Sequence, residues 1–451
     1  MARRIIMNKT AAIMSLAFFF TAMAPSGADA GEPIKVGIVL PLTGTEANFG
    51  EIEKLSFELA LEEINAKGGV KGSPISVIFE DDSSKPDVGR SAIEKLIRQD
   101  GVAIVGGGYS SSVTAAMAGV AVNNAFPLVI NTGSADNITE PWTYTVSGQM
   151  AAKKKKAMTE ETDAVKKEAL KKESDELTAK AEQEAATIMP RYAIFRINPP
   201  ASEYAGGIES LLTDVIKPKT AALLHENSAF GTSSAGDVEK RLAKLGVKIL
   251  IKESYDKASI DFKPVLSKVK EANPDIVYMV SYVNDAALLM NQSMELRLNP
   301  KMFIGGGAGF TMPEFQKNAG KASEKVVSAA LWHQSLKYPG AKEYYDKFLK
   351  KYNRDTEYHG AEAYAAMYVI ADALKRAKSL SKEDVAKALA GTDMMTVFGP
   401  VKFATYGKKS NQNKGEAYVV QWIKGEQEIV WPKKFATHDV IFPVDWIKER
   451  Q

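Results

Sequence analysis

Residues 106–112 read Gly-Gly-Gly-Tyr-Ser-Ser-Ser and stand between a β-branched run and a helical stretch. Glycines let a ligand approach the backbone, and a helix start offers free N–H groups to an anion. The hydroxyls of Ser111 and Ser112 add donors, so the loop suits a small carboxylate. The structural alternative is a helix capped by serine, with an empty tip. A dinucleotide would need Gly-x-Gly-x-x-Gly and an acid about 20 positions on. Ser111 stands where the third glycine should be, and no acid follows at that distance.

A second polar loop, Asn-Thr-Gly-Ser-Ala-Asp at 131–136, follows the next β-branched run. In open α/β sheets, ligands bind outside the carboxyl ends of the strands. Tyr282 and the glycine-rich residues 305–310 hold the matching edge of a second unit. Two such edges facing one another make a cleft.

Other chemistries lack their residues. The chain has no cysteine, which excludes disulfides, thiolate metal sites and a cysteine nucleophile. Its four histidines (His225, His333, His359, His438) are scattered, with no helical metal spacing. Neither a nucleophile elbow (Gly-x-Ser-x-Gly) nor a phosphate loop ending in Gly-Lys-Ser/Thr is present. Asp81-Asp82 and Glu62-Glu63 are adjacent, so on regular elements they point apart. A net charge of +3, from 58 basic and 55 acidic residues, gives no footprint for nucleic acid. No cofactor, no metal and no enzymatic constellation is expected.

The elements that must carry these loops alternate regularly. Apolar runs at 34–40, 75–80, 102–105 and 127–130 read as buried strands. Residues 50–66, 87–100 and 110–124 show helical spacing between them. The alternation restarts after position 200. Strands are expected at 221–225, 247–251, 276–280 and 301–305, and helices at 234–245, 262–272 and 284–296. The fold class is therefore α/β, with two doubly wound parallel units in tandem. At 451 residues, 45% apolar and 25% charged, the chain is long enough for both. Further helices at 342–352, 361–376 and 382–390 precede a tail of short strands.

Two segments stand outside this rhythm. Residues 1–30 carry a basic start, an apolar run with three phenylalanines, and Ala28-Asp29-Ala30. They read as a secretory signal peptide cut after Ala30. The alternative, a membrane anchor, needs about 20 apolar residues, and this run is short. Residues 149–190 are dense in Ala, Lys and Glu, with a thin apolar stripe. Helix propensity is high there. Because strands flank the segment, a helical hairpin is expected, with its break near Ser174-Asp175. A solvated insertion, a docking arm for a partner and disorder all fit that composition.

Eight stretches in order now identify a resemblance. They are IKVGIVLPLTGTEANFGE, VIFEDDSSKPD, VAIVGGGYSSSVTAAMAGVA, FPLVINTGSADNIT, IFRINPPASEYAG, LLHENSAFG, DFKPVLSKVKEANPDIVYM and AYAAMYVIADAL. The chain resembles the periplasmic solute-binding proteins of branched-chain amino-acid ABC importers, the leucine/isoleucine/valine-binding protein family. The resemblance implies two Rossmann-like lobes joined by three crossover segments, near Phe195, Leu331 and Thr392. Residues 31–148 and 332–391 would form the N-terminal lobe, and 191–331 and 392–451 the C-terminal one, with 149–190 as a helical insertion. It implies a ligand carboxylate or amino acid trapped as the lobes close, membrane permease subunits as partners, a periplasmic location and a monomer. A ligand-sensing subunit of a receptor is the alternative.

The resemblance also places the site. Phe49 falls where the family often has an aromatic, Ser111 or Ser112 where a serine holds the carboxylate, and Thr132 and Ser134 in the loop holding carboxylate and ammonium. Phe230 and Tyr282 match pocket aromatics, and Tyr109, Phe310 and Trp332 add aromatic surface. Gly307 stands where amino-acid-binding members have an acid for the ammonium. Either Glu203 or Asp285 replaces that acid, or the ligand has no ammonium, because an unpaired buried ammonium costs several kcal/mol.

Overall fold

The computed structural model describes residues 31–449, so the segment read as an export signal lies outside the described residues. The chain opens with β1 (Ile34–Leu40), α1 (Ala47–Ala66), β2 (Ile75–Asp81), α2 (Pro86–Lys95), β3 (Ile104–Gly107), α3 (Ser111–Asn124) and β4 (Leu128–Ile130). Two long helices, α4 (Val146–Glu160) and α5 (Ala164–Glu184), then precede β5 (Ile194–Arg196). A second unit follows. It runs α6 (Ala201–Leu211), β6 (Thr220–Glu226), α7 (Ala229–Lys244), β7 (Lys248–Tyr255), α8 (Lys263–Ala272), β8 (Ile276–Val280), α9 (Val283–Glu295), β9 (Met302–Gly305), α10 (Pro313–Ala319) and β10 (Val327–Ala330). Helices α11 (Ala341–Tyr352), α12 (Tyr358–Arg376) and α13 (Lys382–Ala390) lead into β11 (Asp393–Thr396), β12 (Gly399–Lys402), β13 (Ala404–Tyr406), β14 (Lys409–Gln412), β15 (Tyr418–Ile423) and β16 (Glu426–Trp431).

These strands form two seven-stranded sheets and one separate ribbon, β11–β12. The sheet orders are β13-β14-β5-β4-β3-β1-β2 and β16-β15-β10-β9-β8-β6-β7. In the first sheet β1 to β5 and β14 pair in parallel, as β6 to β10 do in the second. Strands buried on both faces explain the continuous apolar runs, such as IVYMV in β8.

Three crossovers join the lobes, after β5, after β10 and between β14 and β15. Two of the expected domain limits need correction. β5 belongs to the first sheet, not the second, because Ile194–Arg196 pairs with Leu128–Ile130. The third crossing comes well after Thr392, because β14 returns to the first sheet through Gln412 and Arg196. Helices α11 and α12 pack on α1 of the first lobe. There the Tyr344 hydroxyl meets that of Ser56 at 2.8 Å, and Tyr364 and Tyr368 both donate to Glu63 at 2.8 Å.

The insertion is a helical hairpin, but its break lies at residues 161–163. Glu161 accepts from the N–H groups of Thr162 and Asp163, and Asp163 caps α5 by accepting from Lys166 N–H at 2.9 Å. Ser174 is buried inside α5 and donates to the Ala151 carbonyl. Capping chemistry, rather than the Ser-Asp pair, sets the turn. Val165 of the expected apolar stripe faces solvent, while Ala181 and Ile188 are buried.

Candidate functional site

The turn from β3 into α3 is built by backbone freedom. Gly107 and Gly108 have φ of 104° and 88°. A Cβ on Gly107 would stand 2.2 Å from the Val39 carbonyl, so only glycine lets the loop pass β1. Ser110 is at the N-cap of α3, yet its side chain makes no cap bond. The neighbouring Ser111 hydroxyl instead accepts from the N–H groups of Ser134 and Ala135, at 3.1 and 3.0 Å. The two polar loops are thereby tied together. With two N–H groups on its oxygen, Ser111 has its O–H proton left to give.

Behind the second loop lies Arg196, fully buried. Its guanidinium donates to the carbonyls of Gly133 (3.1 Å) and Ala135 (2.8 Å), and to Gln412 and Thr139. Burial lowers its basicity, with partial relief from Asp136. At the other end of the loop, Thr132 Oγ1 lies 2.6 Å from Glu53 and 3.0 Å from Glu362, both fully buried. Burial pushes Glu53 up to about 8 and raises Glu362 well above the usual carboxylate range.

Aromatic side chains from both lobes close over these loops. Phe49 stacks on Tyr109 at 4.5 Å and meets His359 edge-on at 5.0 Å. Tyr282 lies 6.1 Å from Tyr109 and 5.8 Å from Phe230, and Tyr204 is 6.4 Å from Phe230. The cavity left between them is small, about 10 Å³, and partly open. Tyr109, Ser111, Thr132, Ser134, Phe230 and Tyr282 line it, as do Tyr204, Ala308, Tyr358 and His359. An apolar wall with a few placed polar groups is the usual form of a small-molecule site.

Five of the residues singled out from sequence stand elsewhere, Phe310 among them, because it is buried against Phe315. Phe49 is one layer back, behind Tyr109. The Ser112 hydroxyl accepts from Ala229 N–H at 3.5 Å, a contact between the lobes. Gly307, at φ 92°, has Tyr204 where a Cβ would stand and donates its N–H to Ser328; Ala308 lines the cavity in its place. Trp332 is turned away, because its indole N–H donates to the Val397 carbonyl at 2.8 Å. It packs on Tyr344. Nor do the candidate ammonium partners reach the cavity. Glu203 accepts from Tyr406 at 2.9 Å and Asp285 from Tyr255 at 3.0 Å.

Sequence reasoning missed Tyr204, Tyr358, His359, Glu53 and Glu362. Tyr358 and His359 precede a recognised stretch by one helical turn, and Tyr204 lies inside another. Their helical setting reads as core. His359 Nδ1 meets Glu357 at 2.7 Å, and the Tyr358 hydroxyl accepts from Ala308 N–H of the other lobe at 2.9 Å.

The lobes are closed on one another. Arg354 bridges Glu51 of the first lobe (2.5 Å) and Glu314 of the second (2.7 Å). Among the described residues no group of three or more acidic or histidine side chains could hold a metal ion. No described helix is long and apolar enough to cross a membrane.

Two doubly wound lobes closed on a small interlobe cavity define a bilobal solute-binding protein of the type I periplasmic fold. The chain belongs to the periplasmic binding protein family, whose sequence profile matches residues 33–172 and 190–427. It is 25% identical over 454 residues to Leu/Ile/Val-binding protein homolog 7 of Brucella melitensis, covering 97% of this chain and 100% of that one. Its fold matches the branched-chain amino acid transporter substrate binding protein LivJ of Streptococcus pneumoniae, solved with isoleucine. The TM-score is 0.71 at 22% identity, over 91% of this chain and 100% of that one. It also matches a Rhodopseudomonas palustris solute binding protein solved with 3,4-dihydroxybenzoic acid. There the TM-score is 0.69 at 20% identity, over 91% and 98% of the two chains.

Proposed function

We propose that this chain is the extracytoplasmic solute-binding component of an ABC importer of the branched-chain amino-acid type. It captures a small carboxylate-bearing ligand between its lobes and presents it, as a monomer in the periplasm, to membrane permease subunits. The observation that carries this reading is Ser111. Its oxygen is saturated by two loop N–H groups, which leaves its proton for a ligand carboxylate at the cavity wall. Tyr109, Phe230 and Tyr282 supply apolar surface for the rest of the ligand. The names of the relatives support the amino-acid or aromatic-acid class.

Calorimetric titration of the purified protein, unfolded and refolded to strip carried ligand, tests the reading. Saturable binding of an amino acid or an aromatic acid at one site, with the ligand recovered unchanged, is the expected result. Chemical conversion of the ligand, or no heat with either class, overturns it.

A further inference from the structure

The floor of the cavity holds a charge arrangement that the solute-binding reading does not use. A threonine hydroxyl has one proton and two lone pairs. Three groups sit on Thr132 Oγ1: Asn131 Nδ2 at 2.9 Å, Glu53 at 2.6 Å and Glu362 at 3.0 Å. The amide takes one lone pair, and the hydroxyl proton goes to one carboxylate. The other carboxylate fits only if it carries a proton of its own. Their second oxygens, Glu53 Oε2 and Glu362 Oε1, are buried without hydrogen-bond partners, as is Asn131 Oδ1. No lysine or arginine pairs with either acid among the described residues. An unpaired buried oxygen is expensive, so the arrangement calls for a cation.

The opposite charge stands at the far end of the same loop. Arg196 is fully buried and forms no ion pair among the described residues; it spends its donors on the carbonyls of Gly133 and Ala135 and on Gln412 and Thr139. Residues 131–135 therefore have an acid pair behind Thr132 and a guanidinium behind Ser134. Ser111, the carboxylate donor, is on the guanidinium side, because it touches Ser134 and Ala135.

We propose that Glu53 and Glu362 are positioning residues that supply, through Thr132, the counter-charge for a cationic nitrogen of the ligand, with Arg196 orienting its carboxylate. This takes over the task that an acid at position 307 would perform, and it rests on the solute-binding reading above. The step is a proton exchange. The ligand nitrogen donates an N–H to Thr132 Oγ1, the carboxyl that occupied that lone pair moves off it and gives its proton to the buffer, and the pair passes from one negative charge to two. Glu357 and Asp82 also face Glu53 and oppose its ionisation; Arg196 favours that of Glu362.

The test titrates L-leucine, L-phenylalanine, 4-methylpentanoate and 3-phenylpropanoate into the protein and its Glu53→Gln and Glu362→Gln variants. Each titration is run at pH 7 in two buffers of different protonation enthalpy. The amino acids are expected to bind tighter than their deaminated counterparts by at least the order of tenfold. Their binding heat should depend on the buffer, as proton release requires. Both variants should lose preference and release together while still binding the deaminated acids. Equal affinity for the two classes, or buffer-independent heat in the unmodified protein, overturns the inference and leaves the solute-binding reading intact. Those two readouts need no variant to fold. Absence of heat with all four ligands overturns both.

Discussion

Lys257 of the second lobe forms an ion pair with Glu46 of the first, and its ammonium lies 5.4 Å from the centre of the Tyr282 ring. One side chain thus joins the lobes and covers a cavity wall. Glu46 is fully buried, so removing its partner strands a charge in the closed form only. Lys257→Met is expected to favour the open form and to weaken ligand binding by ~1–2 kcal/mol, through faster release. Stopped-flow fluorescence measures it, and an unchanged release rate contradicts it.

Gly307 is held at φ 92°, and a Cβ there would lie 3.2 Å from Tyr204 Cδ2. Gly307→Ala is expected to destabilise the protein by ~1–2 kcal/mol. Gly307→Glu should do more, displacing Tyr204 from the cavity wall and weakening carboxylate binding by repulsion. Urea unfolding and calorimetry on both variants check this. Tighter binding by Gly307→Glu would show that the position can still hold an acid for an ammonium.

Burial raises Glu53 from 4.5 to about 8, and Asp82 from 3.8 to about 7. An acid raised on folding holds its proton in the native state where the unfolded chain has lost it. Its stabilising protonation is complete below the unfolded value and is lost as pH rises through the folded one. The ligand-free protein should therefore lose stability as pH rises from about 4 to 8, by a few kcal/mol in total. Urea midpoints across that range measure the slope. Glu53→Gln should flatten it, and a flat profile in the unmodified protein would refute the assignment.

The α4–α5 hairpin rests on the turn formed by Pro141–Tyr144, beside the Ser147–Glu184 bond and the Lys408–Glu182 ion pair. None of its residues lines the cavity. Replacing residues 150–186 by a short glycine-serine linker is expected to leave ligand affinity within about twofold, since no binding contact is removed. Solute uptake in cells shows whether the hairpin meets a partner. A large loss of affinity would place it in the binding cycle instead.

Much of this molecule is legible in its sequence. Runs such as Ile34–Leu40 and Ile276–Val280 are apolar on both faces, which marks strands in a parallel sheet. The Gly-Ser loop after β3 and the hydroxyl-rich loop after β4 were legible because small polar residues interrupt that pattern at a strand end. The third crossover was not. β13 and β14 are three and four residues long and carry almost no periodicity. Trp332 misled because an aromatic at a strand end reads alike whether it faces a cleft or a hinge, and the bond to Val397 decides. Glu53 and Glu362 sit in the helices α1 and α12, where an acid ordinarily marks the solvated face; only the packing of α12 on α1 brings both to Thr132.

The hairpin separates two strands that are neighbours in the sheet. β4 ends at Ile130 and β5 begins at Ile194. Bringing those ends together costs chain entropy, but the cost grows slowly, by about 0.6 kcal/mol for each doubling of loop length. Because α4 and α5 close on each other locally, the span to be closed is shorter than its residue count. The same stretch left without structure would slow formation of the β4–β5 pairing, on which the buried Arg196 and the shape of the ligand loop depend. A rigid, self-closing excursion lets this lobe carry extra surface with little penalty to its folding rate.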